Sequence, residues 1–326
     1  MNDKVQDIFE QALTKQASDI YFLPQKDNYL VKLSLANGYE VLQNLSLAQA
    51  SQVINYLKYQ ANMSLSEKRR PQLGAWIYQT KQTAIFCRLS SVGDFWNRES
   101  LVVRLIYSRK HKKATYFFQN QLIQLLNACQ KRGLIIFSGP VGSGKTTAMY
   151  QCAASQEQKQ VLCIEDPIEI YEPKFLQLQV NDKAQMTYQE LLKVSLRHHP
   201  DIFIIGEIRD AQTARAAVDA ALSGHLVLTT LHAQGVYGIW QRLQSLGIEQ
   251  GEFLQTIRLL VYQRLIPTIS GELKVLFDIL DAQDFFANDF FSVRQSQMSL
   301  KWEENLAKCQ KKGWISQETY QLYEKG

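Results

Sequence analysis

The segment 134–147 has the sequence LIIFSGPVGSGKTT, in which a continuous apolar run is followed by a glycine-rich turn. Residues 139–146 match the pattern GxxxxGK[ST] at every fixed position. This pattern forms a phosphate-binding loop when a buried strand precedes it and a helix follows it. Glycines allow positive φ angles, so that backbone N–H groups can turn toward phosphates, and the helix N-terminus adds partial positive charge. The segment therefore predicts nucleotide binding.

The expected ligands are ATP and Mg²⁺, and nine consecutive residues are predicted to bind them. Lys145 supplies a point charge for the β- and γ-phosphates, and the hydroxyl of Thr146 is expected to ligate the metal. The predicted binding residues are Gly139, Pro140, Val141, Gly142, Ser143, Gly144, Lys145, Thr146 and Thr147.

Strand and helix patterns alternate after the loop, which predicts an α/β fold. Continuous apolar runs at 134–137, 161–164 and 202–205 are typical of strands buried on both faces, 226–230 predicts a fourth strand, and helical patterns lie between them. Such alternation indicates a parallel sheet with helices on both sides. The first hundred residues mix helical and strand patterns in a different order.

Length and composition exclude several other classes of protein. A chain of 326 residues predicts two domains, and 46% hydrophobic residues exclude wholesale disorder. No apolar run approaches the roughly 20 residues of a membrane span, and the polar N-terminus shows no signal peptide. The five cysteines are far apart, which disfavours a disulfide framework or a thiolate zinc site. The net charge of +5 permits contact with nucleic acid or membrane without requiring it. We expect the chain in the cytoplasm.

Acidic residues follow two of the predicted strands. Glu165, Asp166 and Glu169 come after the run 161–164, and Glu207 comes after the run 202–205. Ligands of α/β sheets lie beyond the carboxyl ends of the strands, where ATP hydrolysis needs acids to hold metal-bound water and activate the attacking water. We predict that Glu207 positions or activates water. Glu169 is the second candidate for that role or for water-mediated metal binding.

Two histidines and two arginines have more than one interpretation. His225 and His232 flank the run 226–230, a poor spacing for one metal, so each is either a structural residue or a polar sensor near the nucleotide or a subunit boundary. Arg88 and Arg104 lie in strand-like surroundings. They either face solvent or reach a neighbour's γ-phosphate. The basic run 109–113 is a linker or a membrane or partner contact.

Six segments together resemble the secretion ATPases of type II secretion and type IV pilus systems. GPVGSGKTT resembles the Walker A motif of that family, and PDIFIIGEIRD at 200–210 its Walker B stretch. IEDPIE at 164–169 resembles the Asp box, and SGHLVLTTLHA at 223–233 the His box. ASDIYF at 17–22 and QRLIP at 263–267 resemble segments of the N-terminal domain and the end of the core. The resemblance covers nearly the whole chain.

The resemblance implies an ATP hydrolase with a RecA-like core, residues 119–326, preceded by a PAS-like mixed α/β domain, residues 1–107, and a basic linker, residues 108–118. It implies a ring of six identical subunits with ATP sites between subunits. Glu207 matches the Walker B acid and Glu169 the Asp-box acid, whereas Thr146, Glu169 and Glu207 together are the expected metal set. Glu165, His225 and His232 are expected near nucleotide, and Arg88 and Arg104 are expected to reach it from the N-terminal domain.

The short length points to the competence assembly ATPases of Gram-positive bacteria, which power a pilus for DNA uptake. A four-cysteine zinc module and an extra N-terminal domain, present in many relatives, have no counterpart in the sequence. Tyr21 replaces a usual histidine, and His198 and His199 stand where other residues are frequent. The implied partners are a polytopic platform membrane protein and pilin-like subunits, with peripheral membrane association at the inner face through that platform and no direct DNA binding. The alternatives are a pilus retraction ATPase and, less favoured, a type IV secretion or DNA-translocating ATPase.

Overall fold

The structure is a computed structural model that describes residues 3–35, 38–80, 84–107, 114–181, 184–285, 290–292 and 298–326. The chain divides into two compact units, Met1–Ser108 and Arg109–Gly326. The basic run 109–113 lies outside the described residues. Within the described ranges, no helix is both long and apolar enough to cross a membrane.

The first unit is a six-stranded antiparallel sheet with two helices. Its strand order is β3-β2-β1-β6-β5-β4. The elements are α1 (Asp3–Thr14), β1 (Asp19–Pro24), β2 (Asn28–Leu35), β3 (Gly38–Ser46), α2 (Leu47–Gln60), β4 (Gln72–Gln79), β5 (Ala84–Gly93) and β6 (Glu99–Ile106).

The core of the first unit lies between the two helices and one face of the sheet. Helix α1 buries Val5, Ile8, Phe9 and Ala12, which recur at helical spacing and so form one apolar stripe. Helix α2 begins at a capping box, in which the Ser46 side chain accepts from the backbone of the third helical residue and that residue's side chain accepts in return. Strand alternation then leaves the opposite face of the sheet partly exposed.

The second unit is a seven-stranded sheet with helices on both faces. Its strands are β7 (Gly133–Ser138), β8 (Val161–Glu165), β9 (Leu176–Gln179), β10 (Ile202–Glu207), β11 (Leu226–Thr230), β12 (Ile257–Pro267) and β13 (Leu273–Asp281). Its α-helices are α3 (Gln119–Ala128), α4 (Lys145–Ala154), α5 (Tyr188–Ser195), α6 (Ala211–Leu222), α7 (Gly238–Ser245), α8 (Gln250–Thr256), α9 (Ala282–Phe285), α10 (Leu300–Lys311) and α11 (Gln317–Tyr323).

The strand order of this sheet is β13-β12-β7-β11-β10-β8-β9, and only the β12–β13 pair is antiparallel. Strand β7 is buried on both sides. Leu134 and Ile136 pack in the core on one face, and Ile135 and Phe137 in the core on the other. The predicted α/β class is therefore confirmed. Because β7, β8, β10 and β11 are parallel, their carboxyl ends meet at one edge.

Two features of the second unit depart from the sequence pattern. Beyond residue 267 the sequence pattern weakens and favours helices, with 302–311 and 316–324 as candidates, whereas β13 pairs with β12 along its whole length. Residues 115–117, within the predicted linker, hydrogen-bond to β13, with Phe117 N donating to Val275 O and Val275 N donating to Thr115 O. This end of the predicted linker therefore belongs to the second unit.

Candidate nucleotide-binding site

The glycine-rich loop joins β7 to α4 and adopts backbone angles that favour glycine. Gly139, Gly142 and Gly144 have φ angles of +136°, +79° and +86°. At Gly139 a Cβ atom would lie 2.3 Å from the backbone oxygen of Gln263 on β12, so the loop is seated directly against that strand. The N-terminus of α4 points out of the loop. The local geometry is that of an anion cradle.

Lys145 folds its side chain back over the loop. Its Nζ donates to the carbonyl oxygens of Gly139 and Pro140, both at 2.9 Å. Burial lowers the pKa of Lys145, and the charges of Glu169 and Glu207 oppose that shift. The ammonium group is thus held between the loop and two carboxylates, where it can exchange its carbonyl partners for phosphate oxygens.

A cavity of about 450 Å³ opens at the carboxyl edge of the sheet, beside the loop. It is lined by ten of the predicted site residues: Val141, Gly142, Gly144, Lys145, Thr146, Thr147, Glu165, Glu169, Glu207 and His232. Ser143 is buried behind the loop, where its carbonyl oxygen accepts from Gln263 Nε2 at 2.6 Å. The cavity is large enough for the phosphates and sugar of a nucleotide.

Thr146 and Glu169 meet across this cavity. The Thr146 hydroxyl donates to Glu169 Oε2 at 2.9 Å, although 23 residues separate them. Thr146 lies in the first turn of α4, and Glu169 lies beyond the end of β8. Mg²⁺ binds proteins through one or two oxygen side chains and completes its shell with waters and phosphates. The oxygen pair Thr146–Glu169 fits that ion.

Glu207 lies at the end of β10, hydrogen-bonded to Arg209 and near His232. Arg209 Nε donates a short hydrogen bond to Glu207 Oε1, and His232 Nε2 lies 4.0 Å from Glu207 Oε2. The same Arg209 donates through both terminal nitrogens to Asp166, to the side-chain and backbone oxygens at 3.2 Å each. The hydrogen bond to Glu207 raises the pKa of Arg209. Arg209 therefore links the two acidic segments.

Glu165 is buried at the floor of the cavity. Its Oε2 accepts from the hydroxyl of Tyr150, and Gln177 Nε2 donates to that hydroxyl at 2.8 Å. Burial raises the pKa of Tyr150 well above its usual range, so the phenol remains a donor. Glu165 thus lines the cavity with its carboxylate hydrogen-bonded to Tyr150, and it packs against Gly206.

The two histidines lie at opposite edges of the sheet. His232 follows β11 and lines the nucleotide cavity, whereas His225 precedes β11. The ring of His225 bonds through Nδ1 with Ala220 O at 3.0 Å, packs against Phe203 and lines a separate cavity of about 330 Å³. The structure does not bring His225 to the cavity that holds the glycine-rich loop.

Arg88 and Arg104 lie side by side in the first unit. They are register partners on the antiparallel strands β5 and β6, so both side chains point to the same face of the sheet. Arg104 Nε donates to Asp19 Oδ1 at 2.8 Å, and Asp19 is buried. Asp19 therefore offsets part of the positive charge that the two neighbouring arginines bring to this face.

Several residues of the cavity region have no role assigned from the sequence, and four of them bear directly on the site. Arg209, Asp166 and Tyr188 line the cavity, and Gln263 supports the loop from behind. Arg209 and Asp166 stand inside the acidic motifs, so their position was a usable signal. Tyr188 and Gln263 carry no such signal, because only the packing of α5 and β12 brings them close. Within the described part of the chain, no group of three or more His, Cys, Asp or Glu side chains is placed to hold a metal by itself.

Comparison with known proteins gives consistent results over the whole chain. Residues 1–317 match the model of the family described as type II/IV secretion system protein. The competence protein ComGA of Streptococcus pneumoniae (strain ATCC BAA-255 / R6) is 38% identical over 312 residues, which cover 95% of this chain and 94% of that protein. ComGA of Bacillus subtilis (strain 168) is 36% identical over 79% of this chain and 74% of its own length.

Solved structures show the same fold at low identity. The Legionella pneumophila ATPase DotB superimposes with a TM-score of 0.75 at 21% identity, over 98% of this chain and 94% of that one. The pilus retraction motor PilT with bound ADP superimposes with a TM-score of 0.73 at 23% identity, over 96% and 95% of the two chains.

Proposed function

The chain belongs to the type II/IV secretion system protein family, and we propose that it is a hexameric ATPase that hydrolyses Mg·ATP to power assembly of a competence pilus for DNA uptake. Membership of the family implies ATP hydrolysis. The similarity to two competence proteins over most of the chain favours pilus assembly for competence over the other uses of this fold.

One observation carries the proposed chemistry: the hydrogen bond of Thr146 to Glu169 at the mouth of the glycine-rich loop. It joins the end of the loop to the acid after β8, while Glu207 lines the same cavity from β10. Three separate elements therefore present a hydroxyl and two carboxylates around one phosphate cradle. A glycine-rich turn that served only to join a strand to a helix would not need these acids.

In the proposed mechanism the phosphates lie on the N–H groups of residues 139–147. Lys145 leaves the carbonyl oxygens of Gly139 and Pro140 and binds phosphate oxygens. The Thr146 hydroxyl and, through water, Glu169 and Glu207 would hold Mg²⁺, which when bound supplies charge neutralisation between the β- and γ-phosphates. Glu165 holds the floor of the cavity through Tyr150.

We assign activation of the attacking water to Glu207. Arg209 fixes the orientation of its carboxylate, and His232 Nε2 lies 4.0 Å from the other carboxylate oxygen. Arg209 holds Oε1 of Glu207, which leaves Oε2 to accept a proton from water. Because Arg209 also pairs with Asp166, its guanidinium stays fixed beside Glu207.

The arginine pair of the first unit supports the hexamer. We propose that Arg88 and Arg104 reach the γ-phosphate bound by a neighbouring subunit, where they stabilise the charge that develops during hydrolysis. Their register places both guanidinium groups on one face of the sheet. His225, which is remote from the nucleotide cavity, is proposed as a residue of the subunit boundary.

We propose a PAS-like domain at residues 1–107, a RecA-like core at 119–326, and a basic linker confined to the part of 108–118 that precedes residue 115. The motor would work in the cytoplasm at the inner face of the membrane, pushing on a polytopic platform protein that extracts pilin-like subunits. Direct DNA binding is not part of the proposal.

Substitution of the loop lysine tests the site. Lys145→Ala should abolish ATP turnover while leaving the thermal unfolding midpoint near that of the parent chain. The matched control is Lys159→Ala, which removes an exposed lysine paired with Asp201 and should leave turnover unchanged. Near-normal turnover by Lys145→Ala would refute the site assignment. Glu207→Gln should bind ATP yet hydrolyse it slowly, and unchanged turnover would shift the role of base to Glu169.

Mixing inactive subunits tests the ring. A chain with Arg88→Ala and Arg104→Ala keeps an intact cavity, and a Lys145→Ala chain keeps intact arginines. If the arginines act on a neighbour's nucleotide, the mixture should regain turnover that neither protein has alone. No recovery in mixed rings of confirmed composition would contradict action between subunits. Stimulation of turnover by DNA would instead favour the translocating ATPase.

A further inference from the structure

The turn between β5 and β6 exposes two adjacent aromatic side chains. Phe95 is 86% and Trp96 is 65% exposed, and their ring centroids lie 5.2 Å apart. Of the five tryptophans in the chain, the other four are buried or half-buried. Exposure of two large neighbouring aromatic side chains at one turn is unfavourable in water, and patches of this kind mark interaction sites.

The turn that carries these rings is held rigidly. Asp94 Oδ1 accepts from the backbone N–H groups of Trp96 and Arg98 at 2.8 and 2.9 Å. Arg98 Nη2 donates back to Asp94 Oδ2 at 2.7 Å, and Arg98 Nη1 donates to Gln25 O at 3.0 Å. The backbone thus fixes the two rings outward. We name Phe95 and Trp96 the aromatic tip.

A basic segment lies at the base of this tip. Lys68, Arg69 and Arg70 are all exposed, and we name them the basic loop. Gly93, the last residue of β5, donates its N–H to Arg69 O at 3.1 Å, and a Cβ there would lie 2.9 Å from Arg69 Cα. The basic loop is therefore packed against the strand that leads into the tip.

The charges around the tip leave an excess of cations. Glu67 is engaged by the backbone of the basic loop and lies 3.8 Å from Arg70, and Asp94 is paired with Arg98. Within the described residues, Lys68 and Arg69 form no ion pair with any acid. Two positive side chains consequently remain available beside two exposed aromatic rings.

We propose that the aromatic tip and the basic loop together bind the surface of an anionic lipid bilayer. Tryptophan and phenylalanine insert at the boundary between headgroups and acyl chains, and each lysine or arginine near the surface adds attraction to anionic headgroups. The first unit thereby touches the membrane directly, in addition to any contact through a platform protein.

The shape of the surface favours a bilayer over single-stranded nucleic acid. Nucleic-acid strands are bound in grooves, where successive bases stack on separate aromatic platforms. Here both rings lie in the turn between two antiparallel strands, and the basic loop packs against the strand that leads into it. That arrangement suits insertion of the rings into the surface of an anionic bilayer.

Vesicle co-sedimentation of the full chain tests the proposal. Vesicles of equimolar phosphatidylglycerol and phosphatidylcholine should bind the chain, and vesicles of phosphatidylcholine alone should bind it much more weakly. Phe95→Ser with Trp96→Ser should reduce binding at least about tenfold, from the apolar area withdrawn. Lys68→Ser with Arg69→Ser should reduce it about 25-fold, since each charge near an anionic surface is worth about fivefold. Tyr59→Ser, which removes another aromatic residue 70% exposed in the same unit, is the matched control and should leave binding unchanged.

Trp96 provides a direct report of insertion. Its fluorescence should shift to shorter wavelength on the mixed vesicles and be quenched by brominated acyl chains, whereas Trp96→Phe should keep binding and lose most of that signal. ATP turnover without lipid should be the same in all these variants. Absence of binding to the mixed vesicles, equal binding by the double variants, or Trp96 quenching by a single-stranded oligonucleotide in place of lipid would each overturn the proposal.

Discussion

The contact between Gly139 and β12 makes a quantitative prediction about the glycine-rich loop. In Gly139→Ala the new Cβ would lie 2.3 Å from Gln263 O, whereas ordinary contacts begin near 3.4 Å, and φ is +136°. Backbone strain there costs about 1–3 kcal/mol, and overpacking adds about 1–3 kcal/mol. Strand β12 is paired on both sides, so it cannot retreat easily. We expect a total near 4 kcal/mol.

Gly142→Ala is the matched control in the same loop. Gly142 also has a positive φ, +79°, but a Cβ there would meet no atom within 4 Å. Gly142→Ala should therefore lose only the free energy of backbone strain at positive φ, about 1–2 kcal/mol. Urea unfolding of the nucleotide-free chain compares the two variants without interference from phosphate contacts. The midpoint should fall clearly further for Gly139→Ala than for Gly142→Ala.

Nucleotide binding gives a second readout of the same contact. A chain that relieves the clash by shifting the loop loses the alignment of its N–H groups with the phosphates. Titration with a fluorescent ADP should therefore show strongly weakened binding by Gly139→Ala. Equal urea midpoints for the two variants, or ADP affinity of Gly139→Ala within threefold of the parent, would refute the reasoning.

Two further predictions concern stability. In a urea titration, Lys58→Met should destabilise the first unit by about 3–5 kcal/mol, because it leaves Glu99 buried without its cation. The control is Lys15→Met, at an exposed ion pair, which should cost less than about 1 kcal/mol in the same titration. Burial raises the pKa of Asp278 to about 6, although hydrogen bonds from Ser299 oppose the shift. Between about pH 4 and 6 the carboxyl group of Asp278 is therefore protonated in the folded chain and ionised in the unfolded chain. The stabilisation that this protonation gives the folded chain is about 3 kcal/mol. It is fully present below pH 4 and is lost as the pH rises through 6. The difference in unfolding midpoint between the parent and Asp278→Asn should change across that range, and a constant difference would contradict the assignment.

Much of the candidate site could be predicted because its determinants are local. The glycines, Lys145 and Thr146 lie within one strand–turn–helix segment, and their roles depend on neighbouring φ angles and on the start of α4. The acids Glu169 and Glu207 were found because parallel strands bring their carboxyl ends to one edge. The same rule distinguishes His232, after β11, from His225, before it, yet the resemblance placed both near nucleotide.

The sequence alone determined the α/β class and the nucleotide loop, since apolar periodicity and a glycine-rich turn are properties of consecutive residues. Only the tertiary structure decided the support of the loop by Gln263, 120 residues away, the link between Glu207 and Asp166 through Arg209, and the β12–β13 pair. These depend on strand order and register, which are set by side chains packing across the sheet. Periodicity along the chain does not encode which distant strands become neighbours.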